Sequence, residues 1–412
     1  MLASPIDQNR LRDRIQNYLR SKVRDYSLIK EFNEGYCSGI SSLWLYSKWL
    51  QTQPNPEHKP RDDYDWFKNT VNLICGWDGK RSLTKEESEE FERFISYIEY
   101  FQHITDHATS RAQSQGEIAE SLQDTKGRVL KKEYSIGSLF TLEQLKNLLA
   151  TKGIIQEGKL ILISANGHAT ALFREKDKYF YFDSNSRVGE VETISTDQVA
   201  ELIFQAHSLG KDFSSLPVGF RMFTFGEVNE YPKEEEVLKE IGATADEKTS
   251  ARLLATGLHA AAYVGSIGSV VTLLAAGSDP NIQDNHGFTA LMYAVRRGHT
   301  EIIRELLNQP RINVNLKSGG GTVLDLCNTY SHSPPDIKKM LIAAGARTSR
   351  QLFFDPAMGW LRFIGEGVAE AEAAGKFPST VYGGYRGVKR GAADEVNNEE
   401  SKDVESTGKR QR

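Results

Sequence analysis

The chain has 412 residues, 39% of them hydrophobic and 10% aromatic, enough for more than one packed core and too many for a disordered or fibrous protein. A formal net charge of -4 excludes the broadly basic character of a general nucleic-acid binder, so no nucleic acid is expected as a partner. Cys37, Cys75 and Cys327 are too few and too scattered for a disulfide framework or a thiolate metal site; a reducing compartment, no metal and no cofactor are expected.

Residues 1–7 lack a basic region followed by an apolar core, and no stretch approaches the roughly 20 apolar residues that span a bilayer, so neither a signal peptide nor an integral membrane segment is expected. Residues 7–24 set Leu11, Ile15, Tyr18, Leu19 and Val23 at helical spacing, an amphipathic helix covering a core. Its Arg12, Arg14, Arg20, Lys22 and Arg24 read first as a solvated face, with peripheral membrane association the sharper alternative. Next, a polar loop gives way through Glu34-Gly35-Tyr36-Cys37-Ser38-Gly39 to an apolar helix carrying Ile40, Leu43, Trp44, Leu45 and Trp49. A cysteine at that junction faces the positive end of a helix dipole, a setting that stabilises a thiolate and an oxyanion.

After a loop at 55–60, residues 62–77 read as a helix in which Trp66, Phe67, Val71, Ile74 and Cys75 are core. Thr84 and Glu87 form a capping box before the helix of Phe91, Phe94, Ile95, Ile98 and Phe101. His103 and His107 stand four apart, but metal sites need three or four converging ligands, and no further motif accompanies them. A weaker helix is expected at 117–123, and Thr141 to Gln144 opens another with Leu145, Leu148 and Leu149.

Three antiparallel strands follow, 159–165, 169–174 and 179–185, broken by Asn166-Gly167 and by the charged tetrapeptide 175–178. If the second turn falls at Lys176-Asp177, facing residues have numbers summing to about 353. His168 then lies across from Asn185 and one pair from Asp183. Nucleophilic thiol chemistry needs an imidazole to take the proton, and a carboxylate or amide to orient that imidazole. Cys37, His168 and Asp183 fit those roles, and Asn185 is the alternative orienting residue. A further helix starts at Thr196 or Asp197 with Val199, Leu202, Ile203 and Phe204, and a strand at 218–225 closes the domain near Gly226.

The order Cys, His, Asp, with a helix-borne Cys and a Gly-His whose partner strand ends Phe-Asp-x-Asn, resembles the papain-like YopT/AvrPphB group of bacterial effector cysteine proteases over about residues 30–226. The resemblance implies an α+β papain-like cysteine protease domain at 1–230, helices packed on an antiparallel sheet, with Cys37 as nucleophile, His168 as general base and acid and Asp183 as orienter. Papain-like enzymes often carry a Gln or similar oxyanion donor a few residues before the Cys. Here the sixth residue upstream is Glu31, and Asn33, the nearest amide, is the oxyanion candidate. That departure keeps a catalytically weak or inactive scaffold as the alternative reading.

Residues 231–250 are charged and low in bulky apolar residues, and read as a linker with a short helix at 237–241. Thr256, Thr289 and Thr322, each followed by x-Leu, then recur 33 residues apart, as do Gly265 and Gly298 and the pairs Leu273-Leu274 and Leu306-Leu307. The pattern resembles the ankyrin repeat and implies an all-α solenoid at 251–350, its units starting near 254, 287 and 320 and the last serving as a cap. His259 and His299 are read as structural. The resemblance also implies a protein partner, with Asp284, His286, Phe288 and Lys317 as candidate contacts. Residues 351–376 are expected to add helical cover, and 377–412 to be a disordered tail. Its glutamate-rich block at 394–405 resembles the translocation signal of Legionella-type Dot/Icm type IV effectors. That likeness implies secretion into the cytoplasm of a host cell, where a host protein would be the partner.

Overall fold

The computed structural model describes residues 8–22, 37–53, 64–111, 128–165, 167–186, 189–208, 214–225, 227–243, 256–329 and 335–353. Residues 1–349 form one compact unit, organised by a six-stranded antiparallel sheet. Four helices come first: α1 (Gln8–Lys22), α2 (Cys37–Thr52), α3 (Tyr64–Gly76) and α4 (Lys85–Arg111). Then follow β1 (Lys131–Phe140), α5 (Leu142–Ala150), β2 (Leu160–Ala165), β3 (His168–Glu175), β4 (Lys178–Phe182), β5 (Glu190–Thr193), α6 (Thr196–Ser208), β6 (Leu216–Thr224) and α7 (Glu234–Glu240). The strands lie in the order β1-β6-β2-β3-β4-β5. Both capping boxes form: Glu87 N–H donates to Thr84 Oγ1 and Gln144 N–H to Thr141 Oγ1, with the return bonds at 2.9 Å in each case. No described helix is long and apolar enough to cross a membrane.

Because successive strand residues point to opposite faces, a strand covered on both sides must be apolar throughout. β2 meets that demand: Leu160 and Leu162 enter a core with α1 to α4, while Ile161 and Ile163 enter a second core with α5, α6 and α7. Helices therefore cover both faces of the antiparallel sheet.

Two strands go beyond the sequence reading. In β1, Tyr134, Ile136 and Phe140 alternate with Ser135 and Gly137, and only the first set is large and apolar, so the strand does not read as a buried run. β5 is a four-residue edge strand. The stretch expected to begin a linker is packed instead. Val237 and Leu238 are buried in the second core, and Tyr231 stacks on Tyr134 at 4.6 Å while its hydroxyl donates to Glu133 at 2.8 Å. The exposed charges around them, Lys233, Glu236, Lys239 and Glu240, hide two adjacent core positions. Residues 244–250 lie outside the described residues.

Three helix pairs complete the unit: α8 (Gly257–Val264) with α9 (Ile267–Ala275), α10 (Ala290–Arg297) with α11 (Thr300–Leu307), and α12 (Val323–Thr329) with α13 (Pro335–Ala343). A two-residue hairpin, β7 (Lys317–Ser318) with β8 (Gly321–Thr322), precedes the last pair. The repeated threonines cap the first helices, as where Met292 N–H donates to Thr289 Oγ1 at 3.3 Å. Gly265 and Gly298 end α8 and α10 in the left-handed conformation, at φ +77° and +71°, where a side chain would be strained. His259 and His299 are internal: each bonds a backbone carbonyl, of Phe288 at 3.0 Å and of Tyr263 at 3.3 Å.

The first pair is seated directly on the sheet. Gly137 and Gly219 are partners in the β1–β6 ladder, and α8 lies across this side-chain-free window. A Cβ at 137 would stand 3.0 Å from Ala260 and Ala261 backbone atoms, and one at 219 would run into Val264 Cγ1. Hydrogen bonds lock the contact: Ser135 Oγ donates to Gly265 O at 3.0 Å, and Gly137 N–H donates to Ser269 Oγ at 3.3 Å. Glu234, at the start of α7, accepts from Ser266 Oγ at 2.6 Å and Ser269 N–H at 3.0 Å, setting a carboxylate at the N-terminus of α9.

The weaker helix at 117–123 and the tail at 377–412, with its glutamate-rich block, lie outside the described residues. So does the C-terminal cover beyond Phe353, where a short helix from Ser349 ends. The glycine window makes a prediction. Gly219→Val suits a strand by propensity yet overpacks the junction, and should cost about 1–3 kcal/mol in denaturant unfolding. Adding Val264→Ala should recover part of that loss. Strictly additive losses would show that the two positions do not touch.

Candidate active site

The site starts from a hairpin. Gly167 takes φ +74° in the two-residue turn after Ala165, so Ala165 pairs with His168 and the histidine opens β3. β3 and β4 then pair in a register whose residue numbers sum to 353 from Glu175–Lys178 to Ala171–Phe182. Just beyond β4 stands Asp183, with His168 Nε2 2.7 Å from its Oδ1. The same oxygen accepts the backbone N–H of Asn185 at 2.8 Å, which fixes the carboxylate.

The cysteine arrives on α2. Ser41, Trp44 and Lys48 follow Cys37 by about one, two and three helical turns, so the four form one stripe. Ser41 Oγ donates to Ala169 O at 3.1 Å, one residue from His168. Trp44 stacks on Phe182 with 5.1 Å between centroids and donates Nε1–H to Glu190 Oε2 at 2.9 Å. Lys48 pairs with Glu190 Oε1 at 3.2 Å and sits 3.8 Å above the Phe180 ring. Anchored at three points to β3, β4 and β5, the helix presents its first residue to the start of β3. Cys37 Sγ lies 3.9 Å from the carbonyl oxygen of Gly167, the residue before His168, and close enough to the imidazole to favour its charged form.

His168 is only 7% exposed, and that burial alone would lower its pKa. The hydrogen bond to Asp183, with the adjacent Cys37 sulfur, outweighs burial and raises it from 6.5 to about 9. Burial pushes the Asp183 carboxyl up, but the bond to His168, that ring's charge and the Asn185 N–H together leave it below the ordinary value. With Nε2–H committed to an ionised Asp183, Nδ1 is the nitrogen left to exchange a proton with the thiol. Asn185, exposed, places Nδ2 3.2 Å from that Nδ1. It therefore borders the proton-exchanging nitrogen, while Asp183 holds the orienting one.

A second histidine, missed by the sequence reading, lies behind the first. His207 is fully buried, its ring centroid 5.4 Å from that of His168. Its Nδ1 is 3.2 Å from Ala165 O and its Nε2 3.2 Å from Thr170 Oγ1. Burial, with the like charge of His168, pushes its pKa down to about 3, so it stays neutral. The available signal was spacing: Val199, Ile203 and His207 are four apart on α6, a stripe whose other members are core.

Asn33 and Glu31 lie outside the described residues. Among the candidate partner contacts, His286 and Lys317 are exposed on the connections between helix pairs. Asp284 is different: only 6% exposed, it accepts from His286 N–H, Phe288 N–H and Tyr293 Oη within its own turn. Phe288 is partly buried against the repeat core. Asp284 holds the turn together and Phe288 packs partly against the repeat core, so both have a structural task in addition to any contact.

A family model described as ankyrin repeats (3 copies) matches residues 258–351, which agrees with the three helix pairs. This region is an ankyrin-repeat stack, an architecture that serves protein–protein interaction. A search of curated proteins finds no match to the chain.

The raised pKa of His168 has a sign. A group whose folded pKa exceeds its unfolded value stabilises the fold fully below the unfolded value and ceases to as pH rises through the folded one. The stability advantage of the wild type over His168→Gln should therefore be constant below about pH 6.5 and shrink up to about pH 9. In Asp183→Asn, the His168 titration followed by NMR should move from about 9 back towards 6.5. A titration that stays put would remove Asp183 from the pair.

Proposed function

We propose that the N-terminal region is a thiol hydrolase, a cysteine peptidase of papain-like type, and that the ankyrin stack brings it its protein substrate. The observation that carries the reading is a single imidazole bonded to a buried carboxylate at 2.7 Å, with a thiol at the first residue of a helix set against the neighbouring Gly167 carbonyl. The Cys37 S–H proton passes to His168 Nδ1, and the sulfur bonds to the acyl carbon of a bound amide. The protonated His168, held by Asp183, then gives its proton to the departing amine as the C–N bond breaks. Water, deprotonated by the same imidazole, cleaves the thioester and restores the thiol. The donor set suits this work because Asp183 orients one nitrogen and leaves the other to exchange protons.

As part of this reading, the chain acts as an effector in the cytoplasm of a host cell, with a host protein as target; the glutamate-rich sequence at 394–405 supports it. A scaffold that binds a partner without turnover is the second reading, favoured by the repeats themselves.

Two measurements separate these readings. Cys37 should react with iodoacetamide faster than a free thiol such as N-acetylcysteine at pH 7, and His168→Ala should slow it at least about tenfold. Equal rates would leave only the scaffold. Proteins trapped by Cys37→Ala and cut by the wild type should identify the substrate, and His286→Ala with Lys317→Ala should weaken its capture while leaving alkylation of Cys37 unchanged. Undiminished capture would move the contact away from those connections.

A further inference from the structure

We infer that His207 is a positioning residue for the Cys37–His168 pair, a neutral clamp that closes the loop end of the β2–β3 hairpin. The inference rests on the hydrolase reading above. A buried imidazole in a stripe of core positions is costly unless both nitrogens are satisfied, and apolar residues would fill the same space without that demand. His207 satisfies both, and its two partners bracket the working residues. Ala165, whose carbonyl takes the Nδ1–H, is the last residue before the turn; Thr170, whose hydroxyl donates to Nε2, is two residues beyond His168. Gly167 and His168 therefore lie between the two fixed points.

This location matters because the ladder of β2 and β3 ends at the Ala165–His168 pair. Beyond it, nothing in the sheet holds the turn that carries Gly167 O, 3.9 Å from Cys37 Sγ. The His207 ring adds a cross-tie at that point, made with side-chain atoms, and keeps the His168 backbone in register with Asp183. Its protonation state suits the task. Burial and the neighbouring His168 keep it neutral to about pH 3, so it neither loses its acceptor nitrogen nor adds a second positive charge when His168 is protonated. The charged groups that bear on it, His168 and Asp183, both belong to the site it supports.

The test uses the full chain with His207→Phe, which keeps a ring but removes both hydrogen bonds, and His207→Gln, which keeps a polar tip. The rate of Cys37 alkylation by iodoacetamide is measured against pH, alongside the His168 titration by NMR and the melting temperature. For His207→Phe we expect alkylation at pH 7 to slow by about tenfold or more, and the His168 titration to fall below its wild-type position. His207→Gln should recover most of both. A folded His207→Phe with a wild-type pH profile and titration, whatever its melting temperature, would overturn the inference and leave His207 a packing residue. If His207→Phe does not fold, Thr170→Val, which breaks one of the two bonds, is judged by the same two readouts. Failure of the hydrolase reading looks different: wild-type Cys37 would then react no faster than a free thiol and would be indifferent to His168→Ala.

Discussion

Strands β3 and β4 pair in one register, and a slip of a single residue would turn every side chain of β4 to the opposite face. Asp183 follows β4 directly, so it meets His168 only because that register is held. Two features hold it: the tight turn at Lys176-Asp177, with Lys176 at φ +54°, and the burial of Phe180 and Phe182 on one face against Tyr181 on the other. Slipping would send Phe180 and Phe182 into the space that Tyr181 fills and Tyr181 into theirs, mispacking both cores. The same packing positions the cysteine, since Trp44 stacks on Phe182 and Ser41 bonds the strand at Ala169. Register, helix docking and the His168–Asp183 bond are thus one linked constraint.

Much of this was legible in sequence because its determinants are local. Asn166-Gly167 announces a two-residue turn, and the charged tetrapeptide 175–178 announces another, so the facing pairs follow by counting. The threonine caps and left-handed glycines of the repeats are equally local, and they recur. Cys37 stands out because an abrupt change from polar loop to apolar helix marks where a helix begins.

What could not be read depends on contacts between distant segments. β1 looks polar because Ser135 and Gly137 face α8, whose close approach is specified only by Ala260, Ala261 and Val264 far along the chain. α7 looked like linker because Val237 and Leu238 are too few to form a pattern, yet the sheet surface that receives them was built elsewhere. His207 drew no reading at all, because its partners belong to two other strands. Asp284 is the converse case: a charged residue in a repeat turn suggests a contact, and its structural bond to Tyr293 is visible only in the fold.

The paired glycines Gly137 and Gly219 carry a further consequence. A catalytic head and a recruiting module joined by slack chain search a volume together, and the tether length sets how often they meet. Here α8 is pressed onto the sheet across the Gly137–Gly219 window and bonded to it by Ser135, so the solenoid is a rigid extension of the strands. Under the proposed hydrolase reading, a cargo gripped along the repeats is carried at a set offset from the thiol. That proposal makes the junction a gauge, selecting cargo by where its vulnerable segment falls as much as by what the repeats recognise.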